Sequence, residues 1–96
     1  MSPLHQRFRQ DPSIVSRDIA GEMILVPIRQ SVGNLESVYT LNETASFVWE
    51  RLDGQRTLAE IKQELLERFE VGEEEAEQDL LELVAQLESV GAVEAA

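Results

Sequence analysis

Catalysis by a protein side chain needs a nucleophile with a base, paired carboxylates in a cleft, or a bound metal, and few residues here can serve. The only histidine, His5, stands in a mixed polar N-terminal stretch. No cysteine is present, which removes thiol nucleophiles, thiolate metal sites and disulfides together. Gly21, Gly33, Gly54, Gly72 and Gly91 each stand alone, so no glycine-rich phosphate loop is formed. Glu73, Glu74, Glu75, Glu77, Asp79 and Glu82 are abundant carboxylates, but their run fits a solvated helix start. It lacks the alternating oxygen ligands and central glycine of a calcium loop. Tyr39 and Trp49 have no interleaved basic residues and read as edge or core aromatics. No catalytic residue, metal ligand or cofactor is expected, and the chain is not expected to be an enzyme.

The elements that would position these residues follow from the hydrophobic period. Residues 1–13, with Arg7, Arg9, Pro3 and Pro12 but no clear period, are expected as a flexible tail. From Ile14 the pattern alternates through Val15, Arg17 and Ile19. It turns at Ala20-Gly21-Glu22, then alternates again through Ile24, Val26 and Ile28, which predicts two paired strands. Pro27 lacks an amide hydrogen and points to an edge or bulge at its position. Gln30 to Ser37 reads as a loop and Val38 to Leu41 as a third strand.

At Asn42 the period changes to 3.6. Ala45, Val48, Trp49 and Leu52 share one face, with Asn42 as N-cap and Asp53-Gly54 as the stop. Thr57 and Glu60 match a capping box, followed by the stripe Leu58, Ile61, Leu65 and Phe69 to Gly72. A third helix starts in Glu73-Glu74-Glu75 and runs through Ala76, Leu80, Leu83, Val84 and Leu87 to Gly91. Beyond it, Ala92-Val93-Glu94 fits either a short strand or a frayed end. Three strands followed by three helices make an α+β fold, a three-stranded antiparallel sheet with helices on one face.

Ninety-six residues form one domain, expected over 14–96. The net charge of −11 is concentrated in residues 57–96, which carry 12 acids against Lys62 and Arg68. Such a field repels phosphate backbones, so no nucleic-acid partner is expected. The N-terminus has no apolar signal region and no run is long enough to span a bilayer, so no membrane association is expected and a cytoplasmic location is.

Tyr39-Thr40-Leu41-Asn42-Glu43-Thr44-Ala45, then Trp49 through Thr57 with its Asp53-Gly54-Gln55-Arg56-Thr57, then Glu60-Ile61, closely resemble the PqqD-like family. Val15-Ser16-Arg17 and Gly21 to Val26 resemble its opening hairpin, and Leu80 to Gly91 with Val93 its last helix, so the resemblance spans about residues 14–93. It implies a winged-helix-like fold that serves as a recognition element for ribosomally made, modified peptides. Members hold the leader segment of a precursor peptide and present it to a modifying enzyme, often a radical S-adenosylmethionine protein. In the namesake pathway the product is the quinone cofactor PQQ, and a related maturation system is the broader expectation.

In that family the peptide joins the sheet beside the third strand and lies against the last helix. The implied binding residues are Val38, Tyr39, Thr40 and Leu41 on the strand, with Glu77, Leu80, Leu81, Val84 and Glu88 on the helix. Strand addition suits an exposed sheet edge with apolar pockets beneath it. At about 100° per residue Leu81 and Val90 widen the apolar arc of the helix on opposite sides, and the period leaves open which flank faces the strand. Glu77 and Glu88 near Leu81 would attract Lys or Arg in a leader. The chain is expected to be a monomer, although an exposed third strand could also pair with its own copy. The alternative of another class, a winged-helix DNA-binding protein, needs basic or amide residues on the recognition helix, and no Lys or Arg occurs from Glu70 to Ala96.

Overall fold

A computed structural model describes residues 3–27 and 39–96. Val38 and the loop read over Gln30 to Ser37 lie outside the described residues. A short 3-10 helix, Pro3–His5, leads into β1 (Arg7–Gln10), then β2 (Ile14–Ile19), β3 (Glu22–Pro27) and β4 (Tyr39–Leu41). Helix α1 (Glu43–Arg51), β5 (Asp53–Thr57), α2 (Leu58–Arg68), α3 (Glu73–Ser89) and β6 (Val93–Ala95) complete the order.

Ala20 and Gly21 both have positive φ, 54° and 84°, and join β2 to β3 as a two-residue turn with Ile19 opposite Glu22. This is the type I′ geometry that suits the right-handed twist of a hairpin. β4 pairs antiparallel with β3, giving one sheet of order β2-β3-β4. Pro27 ends β3, paired with Ile14 of β2 and beyond the described β3–β4 pairs, so among the described residues it does not sit in the middle of a ladder. The alternating residues Val15, Ile24 and Val26 are only half-buried and Ile19 is exposed. The core is filled instead by the other face, through Ile14, Leu25 and Leu41.

The expectation of a tail over residues 1–13 is corrected for its ordered part. β1 is the central strand of a second sheet, β5-β1-β6, and Phe8 is buried in the core. Asp53-Gly54, read as a helix stop, also opens β5, and Ala92-Val93-Glu94 leads into β6. Each of these strands is too short to show a period of its own, and pairing across distant parts of the chain stabilises them. The amides of Leu58 and Ala96 donate to the carbonyls of Gln6 and Arg7 at 3.0 and 2.9 Å, so both chain ends are tied to one place.

The helices have the caps their sequences predict. Asn42 Oδ1 accepts from the Ala45 amide at 2.8 Å. In the capping box the Glu60 amide donates to Thr57 Oγ1 at 3.2 Å and the Thr57 amide to Glu60 Oε1 at 3.0 Å. α3 ends where Gly91 takes φ 80°. The Ala92 amide donates to Leu87 O and the Gly91 amide to Glu88 O, a Schellman motif that sets Ala92 against Leu87 in the core. Trp49, Leu52, Leu58, Ile61, Leu65 and Leu80 fill the space between the helices and sheets. Three helices on small antiparallel sheets form the α+β, winged-helix-like arrangement expected, with a second sheet added.

Candidate functional site

The hydrogen-bond phase of the hairpin determines which backbone groups face outward at β4. A two-residue turn places Ile19 and Glu22 in a hydrogen-bonded pair. Bonding direction alternates along a strand, so Glu22, Ile24 and Val26 point to β2, and Met23 and Leu25 point to β4. Their partners there are Leu41 and Tyr39. Thr40, opposite Ile24, therefore turns its N–H and C=O away from β3. Among the described residues no strand lies on that side. Thr40 is exposed and Leu41 is buried at 2% exposure, so β4 offers an open backbone edge above a filled core.

A cleft of about 290 Å³ lies between the start of α1 and one flank of α3, lined by Asn42, Thr44, Ala45, Asp79, Glu82, Leu83 and Gln86. Asn42, the α1 cap, follows β4 directly, so the strand leads into the cleft. A smaller recess of about 140 Å³ shares Thr44 and Asp79 with it. On another face of α1 a hollow of about 200 Å³ is lined by Met23, Phe47 and Phe69. There Phe47 and Phe69 meet edge to face at 5.4 Å, and the Arg51 guanidinium lies 3.5 Å from the Phe47 ring centre.

The residues singled out on α3 are divided by this packing. Leu80 and Val84 are core residues at 1% and 4% exposure. Glu77 faces α2: Lys62 Nζ donates to its Oε1 at 3.1 Å and to Glu73 Oε1 at 3.0 Å. These hydrogen bonds, to Glu73 first and then Glu77, raise the Lys62 pKa above its ordinary 10.5 against the opposing cost of burial. Leu81 packs partly against the core and Glu88 is exposed, both on the Glu77 flank at about 100° per residue. Asp79, Leu83 and Gln86 lie on the opposite flank, which turns toward the start of α1.

Sequence reasoning missed Asp79, Glu82, Leu83 and Gln86 as a lining group. The available signal was Lys62, placed between the core residues Ile61 and Leu65. A lysine there needs carboxylate partners, and Glu73 and Glu77, spaced i and i+4, can come only from the helix flank facing α2. Among the described residues no group of three or more His, Asp or Glu side chains is placed to hold a metal, and no helix is long and apolar enough to cross a membrane.

The chain is 43% identical over 53 residues to PqqA binding proteins of Xanthomonas oryzae pv. oryzae, strains PXO99A and KACC10331 / KXO85. The match covers 55% of this chain and 58% of each relative, so the chain spans little more than half the length of the relatives it matches. Among solved structures it is similar to a lasso peptide synthetase B1 complexed with the leader peptide. That match has a TM-score of 0.77 at 28% identity and covers 92% of this chain and 98% of that one. It also shares its fold with TbiB1 in complex with the TbiA(beta) leader peptide, at a TM-score of 0.75 and 20% identity, covering 90% of this chain and 94% of that one. The sequence profile described as Coenzyme PQQ synthesis protein D (PqqD) matches residues 22–93, and the chain belongs to that family.

Proposed function

We propose that this protein is a non-catalytic module that captures the leader segment of a ribosomally made precursor peptide by strand addition and presents it to a modifying enzyme of the radical S-adenosylmethionine type. The observation that carries the reading is the outward-facing N–H and C=O of Thr40 on an edge that runs into the cleft at Asn42. An extended peptide satisfies those groups, and its alternate side chains reach the cleft. The relatives named for binding PqqA, and the similar B1 protein solved with a leader peptide, support this choice of ligand.

The peptide lies along Tyr39–Leu41 and against the Asp79, Leu83 and Gln86 flank of α3, leaving Leu81 and Glu88 outside the groove. Leu80 and Val84 support it from the core without touching the ligand. A nucleic-acid ligand is disfavoured, because Glu73–Ser89 carries seven acids and no basic residue.

The test is an amide-resolved NMR titration of the labelled chain with PqqA of Xanthomonas oryzae and with peptides from each short open reading frame flanking its own gene. Saturable shifts from at least one peptide, confined to residues 39–45 and 79–86, are expected. Saturation elsewhere on the surface, or no response to any of these peptides, overturns the reading.

A further inference from the structure

The charges of α3 are sorted by flank. Glu73 and Glu77 share Lys62 on the side facing α2. Glu75, Asp79 and Glu82 lie on the side facing α1 and have no ion-pair partner among the described residues; Glu82 accepts a 3.4 Å hydrogen bond from Gln78. Among the described residues no Lys or Arg lines the cleft or the recess beside it. Three carboxylates of one sign along a groove repel one another, and a cation brought there by a ligand relieves that repulsion.

The recess supplies the second half of the pattern. Leu65, Phe69, Val71 and Ala76 form its walls, with Glu75 and Asp79 at its mouth. It is about 140 Å³, the scale of one aliphatic side chain, and it shares Thr44 and Asp79 with the cleft. A peptide lying in the cleft past Thr44 therefore has an apolar space beside it, next to the carboxylates.

We infer that the groove selects a leader segment in which a Lys or Arg sits against Asp79 and Glu82 while an aliphatic side chain fills the recess between Leu65 and Val71. The inference rests on the reading that the groove takes an extended peptide, and adds which peptide it takes. The carboxylates supply selectivity and speed of encounter, and the recess and strand edge supply the grip. Binding therefore weakens as ionic strength rises from about 0.1 M to about 1 M, where the screening length falls from about 10 Å to 3 Å.

A phage-displayed library of unconstrained random peptides tests this. It is selected in parallel on the parent protein, on an Asp79→Lys/Glu82→Lys variant, on Val71→Trp and on Thr40→Pro. Both charge reversals are at exposed positions, so the fold is kept. The parent is expected to enrich peptides with a basic and an aliphatic residue at a fixed separation. The charge-reversed variant should enrich Asp or Glu in place of the basic residue and bind the parent's best peptide about tenfold or more weakly. Val71→Trp should lose the aliphatic preference and keep the basic one. If parent and charge-reversed proteins enrich the same sequences while Thr40→Pro enriches none, the specificity inference is overturned and strand addition stands. If the parent enriches nothing, or Thr40→Pro enriches as the parent does, strand addition itself falls.

Discussion

Thr40→Pro should weaken peptide binding by one to two orders of magnitude without unfolding the protein. The N–H at position 40 faces the open edge, since Thr40 opposes Ile24 in the non-bonded phase of the β3–β4 ladder. Proline there removes a donor that no described strand uses, and edge strands accept proline for that reason. The fold should lose less than about 1 kcal/mol. The bound peptide loses one backbone hydrogen bond, about 1 kcal/mol net, and one of its carbonyls is left buried without a donor, about 1–2 kcal/mol more. Together these come to about 2–3 kcal/mol, a rise in Kd of about thirty- to 150-fold.

The control is one residue further on. The Leu41 N–H points to β3 in the bonded pair with Met23, so Leu41→Pro removes an internal bond from a strand whose side chain is in the core. It should cost stability outright. Fluorescence anisotropy with a labelled leader that saturates the parent, together with thermal melts of all three proteins, separates the two effects. Thr40→Pro binding within about twofold of the parent refutes the edge geometry. So does a melt for Thr40→Pro as depressed as that of Leu41→Pro.

Phe8→Ala should destabilise by about 3–5 kcal/mol in urea unfolding, because Phe8 is a buried core residue of the central strand of the second sheet; a change under about 0.5 kcal/mol would return residues 1–13 to the status of a tail. Ala20→Asn should stabilise by about 0.5–1 kcal/mol, since Ala20 holds φ 54° beside Gly21 and Asn-Gly is a preferred pair for this turn, and thermal unfolding reads the gain. The Thr57 amide and hydroxyl bonds lower the Glu60 pKa below its ordinary 4.5, so Glu60 adds stability above that value that is lost as pH falls through the lowered one; Glu60→Gln should flatten this acid limb in urea midpoints measured against pH. Lys62 has the opposite sign: its raised pKa adds stability that is present below 10.5 and lost as pH rises through the raised value, and Lys62→Met should remove that alkaline dependence.

Local signals carried much of the fold. Asn42, the Thr57–Glu60 box and Gly91 each act within one helical turn, and each cap is where its residue type places it. What stayed hidden depends on pairing over long distances. Arg7–Gln10 is polar in every residue but Phe8, and only Asp53–Thr57 and Val93–Ala95, more than forty residues away, make it a strand. The first hairpin forms as its alternation predicts, but the alternation does not say which face is buried. Its clearest alternation, Val15, Ile24 and Val26, marks the outer face, because the turn at Ala20-Gly21 sets the register and puts Ile14 and Leu25 on the inner one. Near the candidate site, the strand Tyr39–Leu41 was readable from its β-forming residues, whereas the exposed flank of α3 required knowing which side Lys62 occupies.

An open edge strand attracts copies of its own chain as readily as a peptide, and two properties of this protein shift that competition. Among the described residues β4 presents Tyr39–Leu41, and a ladder over that stretch with a second copy would leave few bonds to offset the lost freedom of two whole proteins. The second copy would also bring a net charge of −11 against a groove already rimmed by Glu75, Asp79 and Glu82. A short leader with a basic residue meets the same edge with attraction in place of repulsion, and its side chains reach the cleft and recess that a second β4 cannot fill. On the inferred selectivity, the acidic excess of α3 would act twice, against self-pairing of the edge and in choosing the ligand. Neutralising Asp79 and Glu82 would weaken both effects together, loosening peptide selectivity and favouring self-association.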